Sequence, residues 1–183
     1  LKNEFIAQKQ SINIDGDFSD WEDNFQKFSG QQFCVSYSDE YMYLAYLVQD
    51  DTPLQNSKTQ GDLWNGDAVE IAFSTNPNAN DKRNFLLLSD QHIGINCGAN
   101  PYVWDFKRSQ IISNCKLEII EINTGYLVEA SIPIDYFKNF EFKSGIDLDM
   151  EIAIDLGTIE NRQNQIRWNS NNQDGFHQKP SMW

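Results

Sequence analysis

Apolar and polar residues alternate with a period of two through most of this chain, in short stretches punctuated by Gly, Asn and Asp. That alternation predicts strands half-buried on one face, with turns at the punctuation. Residues 11–21 read as a short strand that runs into an Asp-Gly turn and closes on Trp21, an aromatic suited to capping a core; residues 21–31 read as a loop with one helical turn. Residues 33–38 and 41–49 form a hairpin across Asp39 and Glu40, and 67–75 the next strand. Residues 85–88 and 93–96 are expected to pair around Ser89 and Asp90, with 98–110 a long loop carrying aromatic and basic side chains. Residues 115–122 and 126–132 form another hairpin, and 133–137 the single short helical turn, with Pro133 tolerated at its start. Residues 146–156 give the cleanest strand: Ile146, Leu148, Met150, Ile152 and Ile154 face inward, while Asp147, Asp149, Glu151 and Asp155 face out. The segment 162–183 is polar, aromatic and loop-rich. So many short strands at regular spacing predict an all-β fold, an antiparallel β-sandwich of jelly-roll or immunoglobulin type, as one domain over residues 1–183.

One stretch stands out chemically. In WNGDAVEIAFS, residues 64–74, a loop ends in Trp64 and enters a strand whose Val69, Ile71 and Phe73 share one face, so Glu70 takes the other. An indole beside a carboxylate on a rigid sheet suits a sugar, the flat ring covering its C–H face and the acid accepting its hydroxyls. The plainer alternative makes Trp64 a packing anchor and Glu70 a solvated strand residue.

Charge then narrows the partners. The 183 residues carry a formal net charge of −13, and no run of Lys or Arg compensates it, so nucleic acid and anionic membranes are excluded as natural partners. No apolar run is long enough for a membrane span. Excess carboxylate suits calcium, and Asp50 with Asp51, or Asp147 with Asp149 and Glu151, are the candidate oxygen ligands; a solvated acidic face explains them equally. Cys34, Cys97 and Cys115 lack metal spacing and allow at most one disulfide. His92 and His177 are the only histidines, and no G-x-S-x-G, H-E-x-x-H or phosphate-loop motif accompanies them, so hydrolytic and zinc chemistry have no visible basis. The start at Leu1 suggests a piece excised from a larger or secreted protein.

The succession INIDGDFSDW (12–21), VSYSDEYMYLAYLVQDD (35–51), WNGDAVEIAFS (64–74), GYLVEASIPID (125–135), RWNS (167–170) and KPSMW (179–183) resembles carbohydrate-binding module family 9 over nearly the whole chain. The resemblance implies a non-catalytic sandwich that stacks a neutral glycan, a chain end or short oligosaccharide, between two tryptophans, with acid, amide and arginine side chains on its hydroxyls and calcium supporting the loops. Trp64 matches the first tryptophan and Glu70 the sugar-binding glutamate, with Trp183 the candidate for the second wall. The family's arginine has no clear match; Arg83, Gln91, His92 and Arg108 are the residues near enough in order to replace it. The resemblance further implies an extracellular, cell-surface or periplasmic setting, and a catalytic domain of the same parent chain as a partner. Two other functions fit a sandwich of this kind: a haem-binding electron-transfer domain, with His92 and Met42 or Met150 as axial ligands, and an assembly or adhesion module without a small ligand.

Overall fold

The computed structural model describes residues 2–21, 24–138, 140–170 and 175–183. The start at Leu1 and the parts of the expected 21–31 and 162–183 loops at 22–23 and 171–174 lie outside the described residues. In chain order the strands are β1 (Gln8–Lys9), β2 (Gln26–Phe28), β3 (Gln31–Tyr37), β4 (Tyr41–Gln49), β5 (Ala68–Ser74), β6 (Asp90–Asn96), β7 (Tyr102–Asp105), β8 (Gln110–Ile111), β9 (Lys116–Ile122), β10 (Gly125–Pro133), β11 (Met150–Gly157) and β12 (Arg162–Arg167). They form two sheets: β1-β3-β4-β10-β9, with β2 also against β3, and β12-β11-β5-β6-β7-β8. All pairings are antiparallel except β1 with β3.

The sheets face each other across one core. Period two sends Leu44, Tyr46 and Val48 of β4, Val69, Ile71 and Phe73 of β5, Ile93 and Ile95 of β6, and Ile152 and Ile154 of β11 into it. Each such side chain contributes about 1.5–3 kcal/mol by leaving water. Trp21 is fully buried against the outer face of the first sheet and donates Nε1–H to Glu129 Oε1 at 2.6 Å, the capping role its sequence context predicts. The three thiols are free.

Seven expectations are corrected. Residues 11–21 form no strand, only the 3-10 turn Phe18–Trp21; the loop expected over 21–31 holds β2 and, after Trp21, no helical turn among its described residues; and the segment from 162 opens on a strand, β12. Residues 85–88 form no strand: β6 takes β5 as its neighbour on one side and β7 on the other, so no edge is left for them. The loop expected over 98–110 contains β7 and most of its turn into β8. The strand expected from 146 begins at Met150, where pairing with Phe73 of β5 starts. In place of a single helical turn there are five 3-10 turns among the described residues: Phe18–Trp21, Gln60–Asn65, Ile134–Tyr136, Phe176–Gln178 and Pro180–Met182. The third of these is the one predicted.

Candidate functional site on the outer face of the second sheet

Glu70 is the centre from which the site builds. The register places Ala153 of β11 on one side of it and Gly94 of β6 on the other, with Ala68 and Ala72 before and after it on the same face of β5. Small residues therefore surround the carboxylate, and larger groups from flanking turns close over the hollow. Gly94 has to be glycine: a Cβ there would lie 2.6 Å from the Phe106 ring and 2.9 Å from Leu63.

The turn Gln60–Asn65 carries Trp64 to the rim. Its buried Leu63 packs with Ala68 and Trp104, and Asn56 Nδ2 donates to Leu63 O at 2.7 Å and to Asp67 O at 2.9 Å. Behind it Gly66 and Gly157 meet backbone to backbone; a Cβ on Gly157 would stand 2.6 Å from Gly66 Cα. Asp67 completes the anchor by accepting from Gln55 N and Gly157 N, both at 2.7 Å. Burial, its largest perturbation, pushes this carboxyl up to about 6. Trp64 itself stays 37% exposed, with the Arg162 guanidinium 4.7 Å from its ring centroid.

From Trp64 a chain of contacts leads to Glu70. Arg162 Nη1 donates to Asp155 Oδ1 at 2.9 Å, and Gln165 Nε2 donates to Asp155 Oδ1 at 2.8 Å and to Glu70 Oε1 at 3.2 Å. Gln165 thus bridges the two carboxyls. On the other side His92 Nε2 lies 2.5 Å from Glu70 Oε2, its ring stacked on Phe106 at 4.3 Å and near-parallel to His177 at 6.2 Å. Burial raises both carboxyls and lowers His92 to about 4. These shifts agree: the contact is between a neutral imidazole and an acid that resists ionising, rather than a buried ion pair.

Only part of the expected site assembles. Glu70 is 2% exposed, so it is no solvated rim residue, and of the four candidates beside it only His92 reaches it. Gln91 shares the inward parity of Ile93 and accepts from Arg108 Nη1 at 2.9 Å. Arg108 itself pairs with Asp105, and Arg83 is buried in an ion pair with Asp90 at 2.5 Å. Trp183 is corrected most firmly: at 0% exposure it packs with Ala72, Ala153 and Phe176 and donates Nε1–H to Phe176 O, leaving no ring face for a ligand. Phe176 and His177 lie beside His92.

The acids expected to bind calcium do not converge. Asp50 and Asp51 follow β4, whereas Asp147 and Asp149 precede β11, where Asp149 pairs with Lys2 at 3.1 Å. Glu151 is committed to the backbone N–H groups of Ile152, Trp168, Asn169 and Ser170. Among the described residues no three His, Cys, Asp or Glu side chains gather as a metal site. Asp50 alone of the four keeps a shielded oxygen, Oδ2, without a partner. The haem ligands fare similarly: Met42 lies in the inter-sheet core, and His92 is held by Glu70.

Sequence reasoning missed Asp155, Gln165 and Arg162 as site residues. Alternation does put Asp155 on the outer face, but β5 and β11 are distant in sequence, and nothing local declares that they pair.

A two-sheet sandwich that gathers acid, amide, guanidinium and aromatic groups on one outer face has the build of a ligand-binding module. The family described as "Carbohydrate family 9 binding domain-like" matches residues 3–183, and the chain belongs to that family. A carbohydrate-binding module family 9 domain from Caldicellulosiruptor kristjanssonii, solved in complex with cellotriose, superposes with a TM-score of 0.76 at 18% identity, covering 98% of this chain and 90% of that one. The same kind of domain in complex with glucose gives 0.74 at 19%, covering 96% and 90%. A putative carbohydrate-binding protein from Bacteroides uniformis gives 0.54 at 12%, covering 86% and 75%. These likenesses establish the fold. No curated protein matches the chain.

Proposed function

We propose that this domain binds a neutral glycan, by a chain end or as a short oligosaccharide, and performs no chemistry on it. The observation that carries the reading is Trp64, a part-exposed indole anchored above Glu70, Asp155, Gln165 and Arg162. The ring offers an apolar platform for a sugar's C–H face, and the polar cluster offers acceptors and donors to its hydroxyls. The neighbours solved with cellotriose and glucose support the same ligand class. Within this reading the domain serves outside the cytoplasm, at the cell surface or in the periplasm, and tethers a catalytic neighbour to its substrate. Calcium belongs to the proposal in a narrower form than the sequence suggested, at Asp50. A melting temperature unmoved by a chelator removes it.

The decisive experiment is calorimetry and a glycan array against neutral gluco-, xylo- and manno-oligosaccharides. Saturable binding of at least one is expected, lost in Trp64→Ala. Silence across all of them overturns the reading.

A further inference from the structure

Beside the turn that carries Trp64 lies a second concavity, of about 570 Å³, within the range of small-ligand sites. It is formed by the loop after β4, the β6–β7 connection and the β11–β12 hairpin tip, none of which holds Glu70 or its partners. Its lining sorts into two kinds. Gln55, Ser57, Thr59 and Asn100 are neutral side chains that make no side-chain hydrogen bond among the described residues, while Leu54, Tyr102 and the exposed Ile159 supply apolar wall. The one cation, Lys58, is committed through Nζ to Glu160 O at 2.6 Å.

We infer that this groove is a second subsite for the same glycan, taking the units that follow the one held at Trp64; the inference rests on the sugar-site reading above. Three observations point there. A lining of uncommitted amides and hydroxyls, with aliphatic and phenolic surface between them, matches alternating hydroxyl and C–H faces. That lining holds no carboxylate and a single ammonium, Lys58, already bonded to Glu160 O, so neutral side chains dominate what a ligand meets. And the groove adjoins the turn that carries Trp64. Tyr102 Oη donates to Gln60 O at the start of the turn, and Trp64 stands four residues on, about 8 Å along a 3-10 axis. The β11–β12 hairpin spans both: its tip lines the groove with Ile159, and Arg162 stacks on Trp64. The groove rim is held in shape by Asn96, which donates to Lys58 O and accepts from Gly98 N, and by Gly98, whose Cβ would lie 2.1 Å from Asn56 O. It therefore exists before the ligand arrives, so little ordering cost falls on binding.

The test is a length series by calorimetry, from the monosaccharide to the hexasaccharide of whichever neutral glycan the domain binds. It compares the parent protein, Trp64→Ala, Ile159→Ala and the double variant Gln55→Ala with Asn100→Ala. Ile159 and Asn100 are exposed and Gln55 is half-buried without a side-chain bond among the described residues, so melting curves should stay close to the parent's. Affinity is expected to rise about tenfold or more with length in the parent. The groove variants should lose most of that gain while keeping the monosaccharide affinity. Trp64→Ala should lose binding at every length. A length gain that survives both groove variants overturns the second subsite and leaves the first intact. Absence of any binding by the parent overturns both, and a peptide bound in the groove without sugar competition assigns it to another partner.

Discussion

Trp64→Ala separates two roles that the structure weighs differently. A packing anchor replaced by alanine leaves a cavity and costs about 3–5 kcal/mol of stability. Trp64, however, is more than one-third exposed, and its neighbour Leu63 is the residue that plugs the turn into the sheet. The stability it supplies is the stacking of Arg162, about 0.5–1 kcal/mol at an exposed site, plus its partly covered ring. A loss of about 1–2 kcal/mol is expected. Arg162 keeps its bond to Asp155 and is not orphaned. For binding, removal of an aromatic anchor typically costs about 2 kcal/mol or more, roughly a thirtyfold weakening. Denaturant melts give the first quantity and calorimetry at a temperature where the variant is folded gives the second. A variant destabilised by several kcal/mol whose folded fraction still binds at full strength refutes the placement of the site.

Glu70→Gln keeps the shape and removes a buried titratable group, so its melting curve should stay within about 1 kcal/mol of the parent, while glycan affinity falls about tenfold with the loss of one acceptor oxygen for a sugar hydroxyl; unchanged affinity would take Glu70 out of the site. Trp183→Ala should lose about 3–5 kcal/mol of stability, with a smaller effect on affinity than Trp64→Ala; the reverse order in paired melting and binding experiments would restore it as a sugar wall. Stability should fall as pH rises from 5 to 8. Burial raises Asp67 to about 6, and raises Glu70, Asp155, Glu129 and Glu151 as well. Each binds its proton more tightly folded than unfolded, and each loses that advantage as pH climbs past its folded value. His92, lowered to about 4, acts oppositely between pH 4 and 6.5, one group against five. A melting temperature that increases steadily from pH 5 to 8 would contradict this.

The sheets were legible because a period of two is local. β4 falls where alternation puts it, and Val69, Ile71 and Phe73 turn inward as a set. The order of strands within a sheet was not legible, since pairing is decided by shape across the whole domain. That is why Asp155 was seen as an outward strand residue but not as a partner of Glu70, and why Gln165, in a segment that read as loop, was not seen at all. It is also why FLLL at 85–88, apolar enough for a strand, became a connector with Leu88 largely in solvent. Trp183, the second wall that the resemblance implied, is buried for a related reason: only the pairing of β5 with β11 brings Ala72 and Ala153 to one face, where the indole packs on them.

The outer faces of the two sheets show why the site lies where it does. Each buries a glutamate, and the donors that satisfy the two differ in kind. Glu129, on the first sheet, accepts from the backbone N–H of Asp15 and Gly16 and from the buried Trp21 indole. None of these donors can leave without unfolding the segment that covers it, and Glu151 is tied to backbone in the same way. Glu70 is satisfied by His92 and Gln165, two side chains that can rotate. A hydroxyl can take their place at the cost of a rotamer change, whereas replacing a backbone donor costs local structure. The exchangeable carboxylate is also the one with an aromatic platform at its rim, so the same outer face supplies both halves of sugar recognition, and the chemically similar acid under Trp21 supplies only stability.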